Sequence, residues 1–221
     1  MTALLGLSAR LRLARVLVRV DAGTAADSVH DQALRRVGLV VLDGAVDATA
    51  WGRVSGLASG RRGPLLGLAG DAGDAVALQP DVVLDPAQGP GWPHPWALRG
   101  ATVSDVGDRA EGSFDFIVLA RDPAESGRSL VDAVSRAVRL APPNDLAAVP
   151  WFVQVADSRR AGAAVAAGAV RLAVSGADPA LVQRVDELTA RAWRTESMRT
   201  YRLAAFTSQQ VRRSVQRLDT P

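Results

Sequence analysis

The chain has 221 residues, 48% of them apolar, with 26 basic and 23 acidic side chains and a net charge of +3. That composition is globular and long enough for one α/β barrel or one large domain, and the charge is too small to suggest nucleic acid. There is no cysteine, which excludes disulfides, thiolate nucleophiles and Cys-ligated metals, and every basic residue is Arg, which excludes a Schiff-base lysine and a lysine phosphate clamp.

No apolar run approaches the roughly 18 residues of a membrane span. At the start of the chain, Arg10, Arg12, Arg15 and Arg19 interrupt the apolar residues, so no signal peptide is expected and the cytoplasm is the expected compartment.

Short apolar runs then alternate with helical patterns. Arg15–Val20 is predicted as the first strand, ending at Asp21, and Thr24–Arg36 as a helix. Val37–Leu42 is the second strand, ending at Asp43-Gly44, followed by a helix over Asp47–Ala58 and a turn at Gly60–Gly63. Pro64–Ala69 is the third strand, ending at Gly70-Asp71, with a short helix over Asp74–Gln79. Asp81–Leu84 is the fourth, ending at Asp85-Pro86. The Pro/Gly/Trp-rich Ala87–Leu98 breaks the rhythm and reads as a lid-like or packed surface loop. Arg99–Val103 is the fifth strand, leading to Ser104-Asp105, and Ser113–Ala120 the sixth. An amphipathic helix over Ser126–Leu140 and a linker over Ala141–Val149 follow.

The 150–176 stretch shows the repeating unit most plainly. Trp151–Val155 is a strand, Ser158 is the expected helix N-cap, and Ala161–Ala167 is an Ala-rich helix. Gly168 stops it, and Val170–Val174 is the eighth strand, turning out at Ser175-Gly176. Strands joined in this way are parallel with right-handed crossovers. With Asp178–Trp193 as the last helix, eight such units predict a (β/α)8 TIM barrel over residues 1–195, a doubly wound sheet being the alternative. Residues 196–221 form a C-terminal helical extension, with Val211, Val215 and Leu218 at helical spacing among five arginines. It is expected to pack on the barrel or on a second subunit, or to bind a partner protein. With only Tyr201 and Phe206 to stack on bases, no nucleic-acid partner is expected.

The functional face of a barrel is the C-terminal end of its strands. There the chain places Asp21, Asp43, Asp71, Asp85 and Asp105, with Arg121, Gln154 and Ser175. One Arg among five carboxylates is the wrong balance for a diphosphate, which carries about three negative charges, unless magnesium reverses the sign. The plainer expectation is that several of these aspartates cap helices. His30, in the first predicted helix, and His94, between two prolines, are expected at the surface rather than as bases. Trp92 and Trp96 either wall a pocket or pack under their loop.

The order and wording of the strands resemble the thiamine phosphate synthase/TenI family. Its members are (β/α)8 barrels that couple a pyrimidine diphosphate to a thiazole phosphate or, in the TenI branch, aromatise the thiazole. Pro150-Trp151-Phe152, a helix ending in Ala166-Ala167-Gly168-Ala169, and Val170–Val174 look like the family's final βαβ unit. Phe114–Val118 resembles its strand-six Asp-Tyr motif, and Asp71 and Asp74 sit like the acidic residues after strand three. The resemblance covers Arg15–Arg191.

The chemistry diverges more than the fold does. Val41–Gly44 replaces the family's Gln-x-Arg-x-Lys cluster, Gly70-Asp71 its Asn-Asp pair, and Leu84–Gln88 its His-containing motif. Val103–Asp105 replaces Ser-Thr-His, Ala120–Pro123 the Lys-bearing segment, and Val155-Ala156 the Gly-Gly. The resemblance therefore implies a barrel that has lost the synthase reaction. No catalytic residue or cofactor is expected, and the role becomes binding, regulation or assembly. If activity is retained, it implies magnesium on Asp71 and Asp85 and a small phosphorylated ligand at Ser175-Gly176. An unrelated barrel enzyme using the acidic rim is the third possibility.

Overall fold

The computed structural model describes residues 2–23, 32–58, 63–70, 78–86, 97–105, 114–143, 145, 148–176 and 178–218, with side chains from 6 to 198. Eight strands close into a parallel barrel in chain order. They are β1 (Val16–Asp21), β2 (Leu39–Asp43), β3 (Leu65–Ala69), β4 (Val82–Leu84), β5 (Leu98–Val103), β6 (Phe116–Leu119), β7 (Trp151–Val155) and β8 (Leu172–Ser175). The described α-helices are α1 (Thr2–Leu13), α2 (Ala48–Ser55), α3 (Gly127–Leu140), α4 (Ser158–Ala166) and α5 (Pro179–Leu218). Pairing of β1 with β8 closes the sheet and rules out the doubly wound alternative.

The register carries the barrel signature. Partners run level from Leu17 through Leu39 to Leu65, then resume two residues higher at Gly67, Gly100, Val118 and Gln154. Four steps of two, a climb of eight residues, bring the path through Ala173 back to Leu17, the shear of eight that defines the TIM barrel.

The strands read as nearly unbroken apolar runs because both faces are buried. Val16, Val18 and Val20 of β1 point outward and share a core with Leu130 and Val134 of α3, Ala161 and Ala164 of α4, and Val182 and Val185 of α5. Leu17, Leu39, Val41, Val82, Leu84, Phe116, Val118 and Phe152 point inward and fill the barrel. Phe116 and Phe152 meet edge to face at 6.1 Å. Phe116 lies over Gly100, where an added Cβ would stand 2.2 Å from Cζ of the ring. The interior is a packed core, not a pore.

The helix α1 was not expected from the sequence, which reads there as arginines interrupting apolar residues. Arg10 donates to the carbonyls of Gly63 and Pro64 at 2.7 and 3.2 Å. Leu11 and Ala14 plug the N-terminal end of the barrel, packing on its inner core. The plug sits so close to β2 that a Cβ on Gly38 would lie 2.6 Å from Ala14 Cα.

Two local readings change. The cap of α4 is Asp157, whose carboxylate accepts from Arg160 N, while Ser158 is the first helical residue. Aspartate is the stronger acceptor for the partly positive helix start. The predicted last barrel helix and the extension form one helix, α5, of 40 residues with no break at 195. At 1.5 Å per residue it is about 60 Å long. Pro179 opens it at the position where a missing N–H costs nothing. Gly168 ends α4 as expected, with a φ of 107°.

Candidate functional site

The C-terminal mouth of the barrel collects the predicted rim residues, because alternate positions at the strand ends face inward. Arg19 of β1 is opposite Val41 of β2 and reaches Asp43, two residues further on, gripping it with two bonds, Nε to Oδ2 at 3.0 Å and Nη2 to Oδ1 at 2.9 Å. The Asp43 hydrogen bond raises the Arg19 pKa against the opposing effect of burial. The negative charges of Asp43 and, across the mouth, Asp85 add to the rise.

Asp85 follows β4 with a φ of 52°, a left-handed conformation uncommon outside glycine. Its carboxylate turns sideways onto β5, accepting from Thr102 N at 2.5 Å and Thr102 Oγ1 at 2.6 Å. Gln154 of β7 donates from Nε2 to Ser175 Oγ of β8 at 3.0 Å. Beside it, the amide of Gly176 donates to the carbonyl of Arg19 at 2.7 Å, so of the Ser175-Gly176 pair the hydroxyl is the group left to a ligand.

Beyond β6 lies a second cluster. Arg121 makes a two-point contact with Glu125, through Nε to Oε1 at 2.8 Å and through Nη2 to Oε2. It also reaches Ser129 Oγ and the Ser104 carbonyl, both at 3.3 Å. Arg160 of α4 locks the same turn by donating to the Glu125 carbonyl at 2.7 Å. The Arg121 hydrogen bond holds the Glu125 carboxyl below its ordinary range. Burial opposes this, while Ser129 and the charge of Arg160 support it. Glu125 was not singled out from the sequence; its i,i+4 spacing from Arg121 was the available signal.

Asp21 accepts from Gly23 N at 2.9 Å, and Asp105 pairs with Arg136 at 3.1 Å. The expectation that rim aspartates cap helices fails for Asp43 and Asp85, which bridge to neighbouring strands. The caps are Asp47, Ser126 and Asp157. The mouth thus brings together Arg19, Asp43, Asp85, Thr102, Gln154 and Ser175, with Arg121 held apart by Glu125.

Asp71, Asp74, His30, His94, Trp92 and Trp96 lie outside the described residues, as does most of the predicted loop over Ala87–Leu98. Among the described residues no three His, Asp or Glu side chains converge as a metal site. No described helix is long and apolar enough to cross a membrane.

Fold and mouth together define the class: a (β/α)8 barrel in which Arg19 and Arg121 are each paired with a carboxylate of the same chain. Compared with known proteins, the chain matches no family model, and no curated protein matches it.

Proposed function

We propose that the chain is a cytoplasmic, non-catalytic binding or assembly protein built on a thiamine phosphate synthase/TenI-like barrel. One observation carries this reading. The described cations at the mouth are neutralised within the chain, Arg19 by Asp43 and Arg121 by Glu125, each through a two-point contact. A diphosphate entering here would have to displace a carboxylate already held by charge-assisted bonds, and it would meet Asp85 as a like charge. The extended α5 supplies a surface for a partner protein or a second copy, since its backbone continues 20 residues past Met198.

One feature favours a second reading, a divergent but active enzyme of thiamine biosynthesis. Asp85 is held in a sparsely populated backbone conformation at the mouth, and such strain concentrates at functional sites. Asp85 would then hold magnesium together with Asp71, and Ser175 would contact a phosphate.

The test is a thermal-shift titration with thiamine phosphate, the thiazole phosphate and the pyrimidine diphosphate, each with and without magnesium, followed by a coupling assay. A ligand of the folded state raises the melting temperature as its concentration passes its Kd. The binding-protein reading expects no product and no magnesium-dependent shift with the diphosphate. Either one would overturn it in favour of the enzyme.

A further inference from the structure

At the opposite end of the barrel from the mouth, the end of α1, described residues between α3 and β7, the residues just before β8, and α5 line a cavity of about 440 Å³. That is within the range of small-molecule sites. Its walls are apolar, formed chiefly by Leu13, Pro143, Val149, Trp151 and Trp193. Trp151 presents only its ring face, because its indole N–H donates to the Ala141 carbonyl at 2.7 Å. The lip is apolar too: the lining residues Leu13 and Val149 are 71% and 38% exposed. Exposed apolar side chains gathered around a cavity mark a binding surface rather than ordinary surface scatter.

Into this apolar setting the chain puts a buried cation. Arg171 is 5% exposed and lines the cavity. Its Nη2 donates to the Arg12 carbonyl at 3.0 Å and its Nη1 to the Pro143 carbonyl at 3.4 Å. Its Nε is buried with no acceptor. The guanidinium stacks 4.8 Å from the Trp193 ring. No described carboxylate bonds to it. Asp145 and Glu196 also line the cavity, but both make other interactions. Burial first, and then the like charge of Arg12, push the Arg171 pKa down to about 10. At neutral pH it still carries its charge. A buried charge facing carbonyls, a π face and a like charge, with no counterion among the described residues, is an expensive arrangement.

We propose that this cavity binds an amphipathic organic anion, a carboxylate on an apolar body, whose head group supplies the counterion that Arg171 and Arg12 lack. The apolar walls take the chain or ring of the ligand, and the Trp193–Arg171 stack fixes the charged end. The site is separate from the barrel mouth and does not depend on the function proposed for it.

The experiment compares decanoate with decanol, which shares the apolar body but not the charge, by calorimetric titration of the full chain. Decanoate is expected to bind at least roughly ten-fold more tightly, the worth of one charge-assisted contact. Arg171→Met is expected to abolish that preference while leaving decanol within roughly two-fold of its original affinity. Replacing an unpaired buried charge by an apolar side chain of similar length should not unfold the chain. Should that variant fail to fold, Arg12→Gln, which alters the more accessible cation, provides the same comparison. Equal binding of decanoate and decanol, absence of decanoate binding, or a preference unchanged in the variants would each overturn the proposal.

Discussion

Gly100→Ala tests whether the barrel interior is packed as tightly as the geometry requires. The new methyl carbon would stand 2.2, 2.4 and 2.7 Å from three atoms of the Phe116 ring. Ordinary carbon–carbon contact is about 3.5–4.0 Å, so the ring must retreat by about 1 Å or more. It has no open side to retreat to. Phe116 is fully buried, and Phe152 stands against it edge to face. Overpacking of this kind costs about 1–3 kcal/mol, and a rigid ring closed in on both sides belongs near the upper figure. For a domain of this size each kcal/mol moves Tm by about 2–4 °C, so a loss of about 5–10 °C is expected. Thermal unfolding followed by circular dichroism measures the change in Tm, and urea unfolding followed by tryptophan fluorescence the free-energy loss. The decisive companion is Phe116→Leu. Alone it leaves a cavity; combined with Gly100→Ala, the methyl enters the vacated space. The double variant should therefore be more stable than the sum of the single effects by about 1 kcal/mol or more. If Gly100→Ala lies within about 0.5 kcal/mol of the parent, or the two changes simply add, the packing inferred for the interior is wrong.

Further tests address the mouth, the second cluster and the plug. Asp43→Asn removes the counter-charge of Arg19; the pair is partly exposed, so the stability loss should be only about 0.5–1 kcal/mol. Inorganic phosphate should then stabilise the variant more than the parent, and an identical phosphate response in both would count against Asp43 as the neutralising group. Glu125→Gln breaks a largely buried two-point pair and should cost about 2–4 kcal/mol at pH 7. Because the folded-state pKa of Glu125 lies below its ordinary 4.5, its contribution is present above that value and is lost as pH falls through the folded pKa. The gap between parent and variant should accordingly narrow in urea titrations as pH falls from 7 through the acid range; a constant gap would refute the linkage. Gly38→Ala drives a methyl onto the backbone of Ala14 and should loosen α1, with a loss of about 1–3 kcal/mol. Hydrogen exchange should show faster exchange in α1 than in β7, and uniform protection would refute the close approach as the reason for the glycine.

Much of the barrel was legible in the chain itself. Runs such as LVVLD and WFVQV are apolar at every position but one or two, which is the pattern of strands buried on both faces, and Gly or Asp marks where each stops. Because barrel chemistry sits where strands end, the positions of Arg19's partner Asp43, of Asp85 and of Ser175 followed from the strand ends. Their roles did not. Asp43 and Asp85 lie where a helix cap would, and only strand register decides that one meets Arg19, 24 residues away, and the other Thr102, 17 residues away. The same holds for Arg171. In sequence it is one more arginine, inside the predicted strand Val170–Val174; closure of β8 onto β1 and the passage of α5 beneath it make it a buried charge against Trp193. The α1 plug escaped because helical periodicity is weak where arginines interrupt the apolar residues. It becomes favourable only once the open end of the barrel offers Leu11 and Ala14 an apolar floor. The sequence by itself determined which segments are strands and where they end, since burial on two faces leaves a local signature. Which side chains meet across the mouth and around the lower cavity was decided by the tertiary structure, because those contacts depend on the shear of the closed sheet.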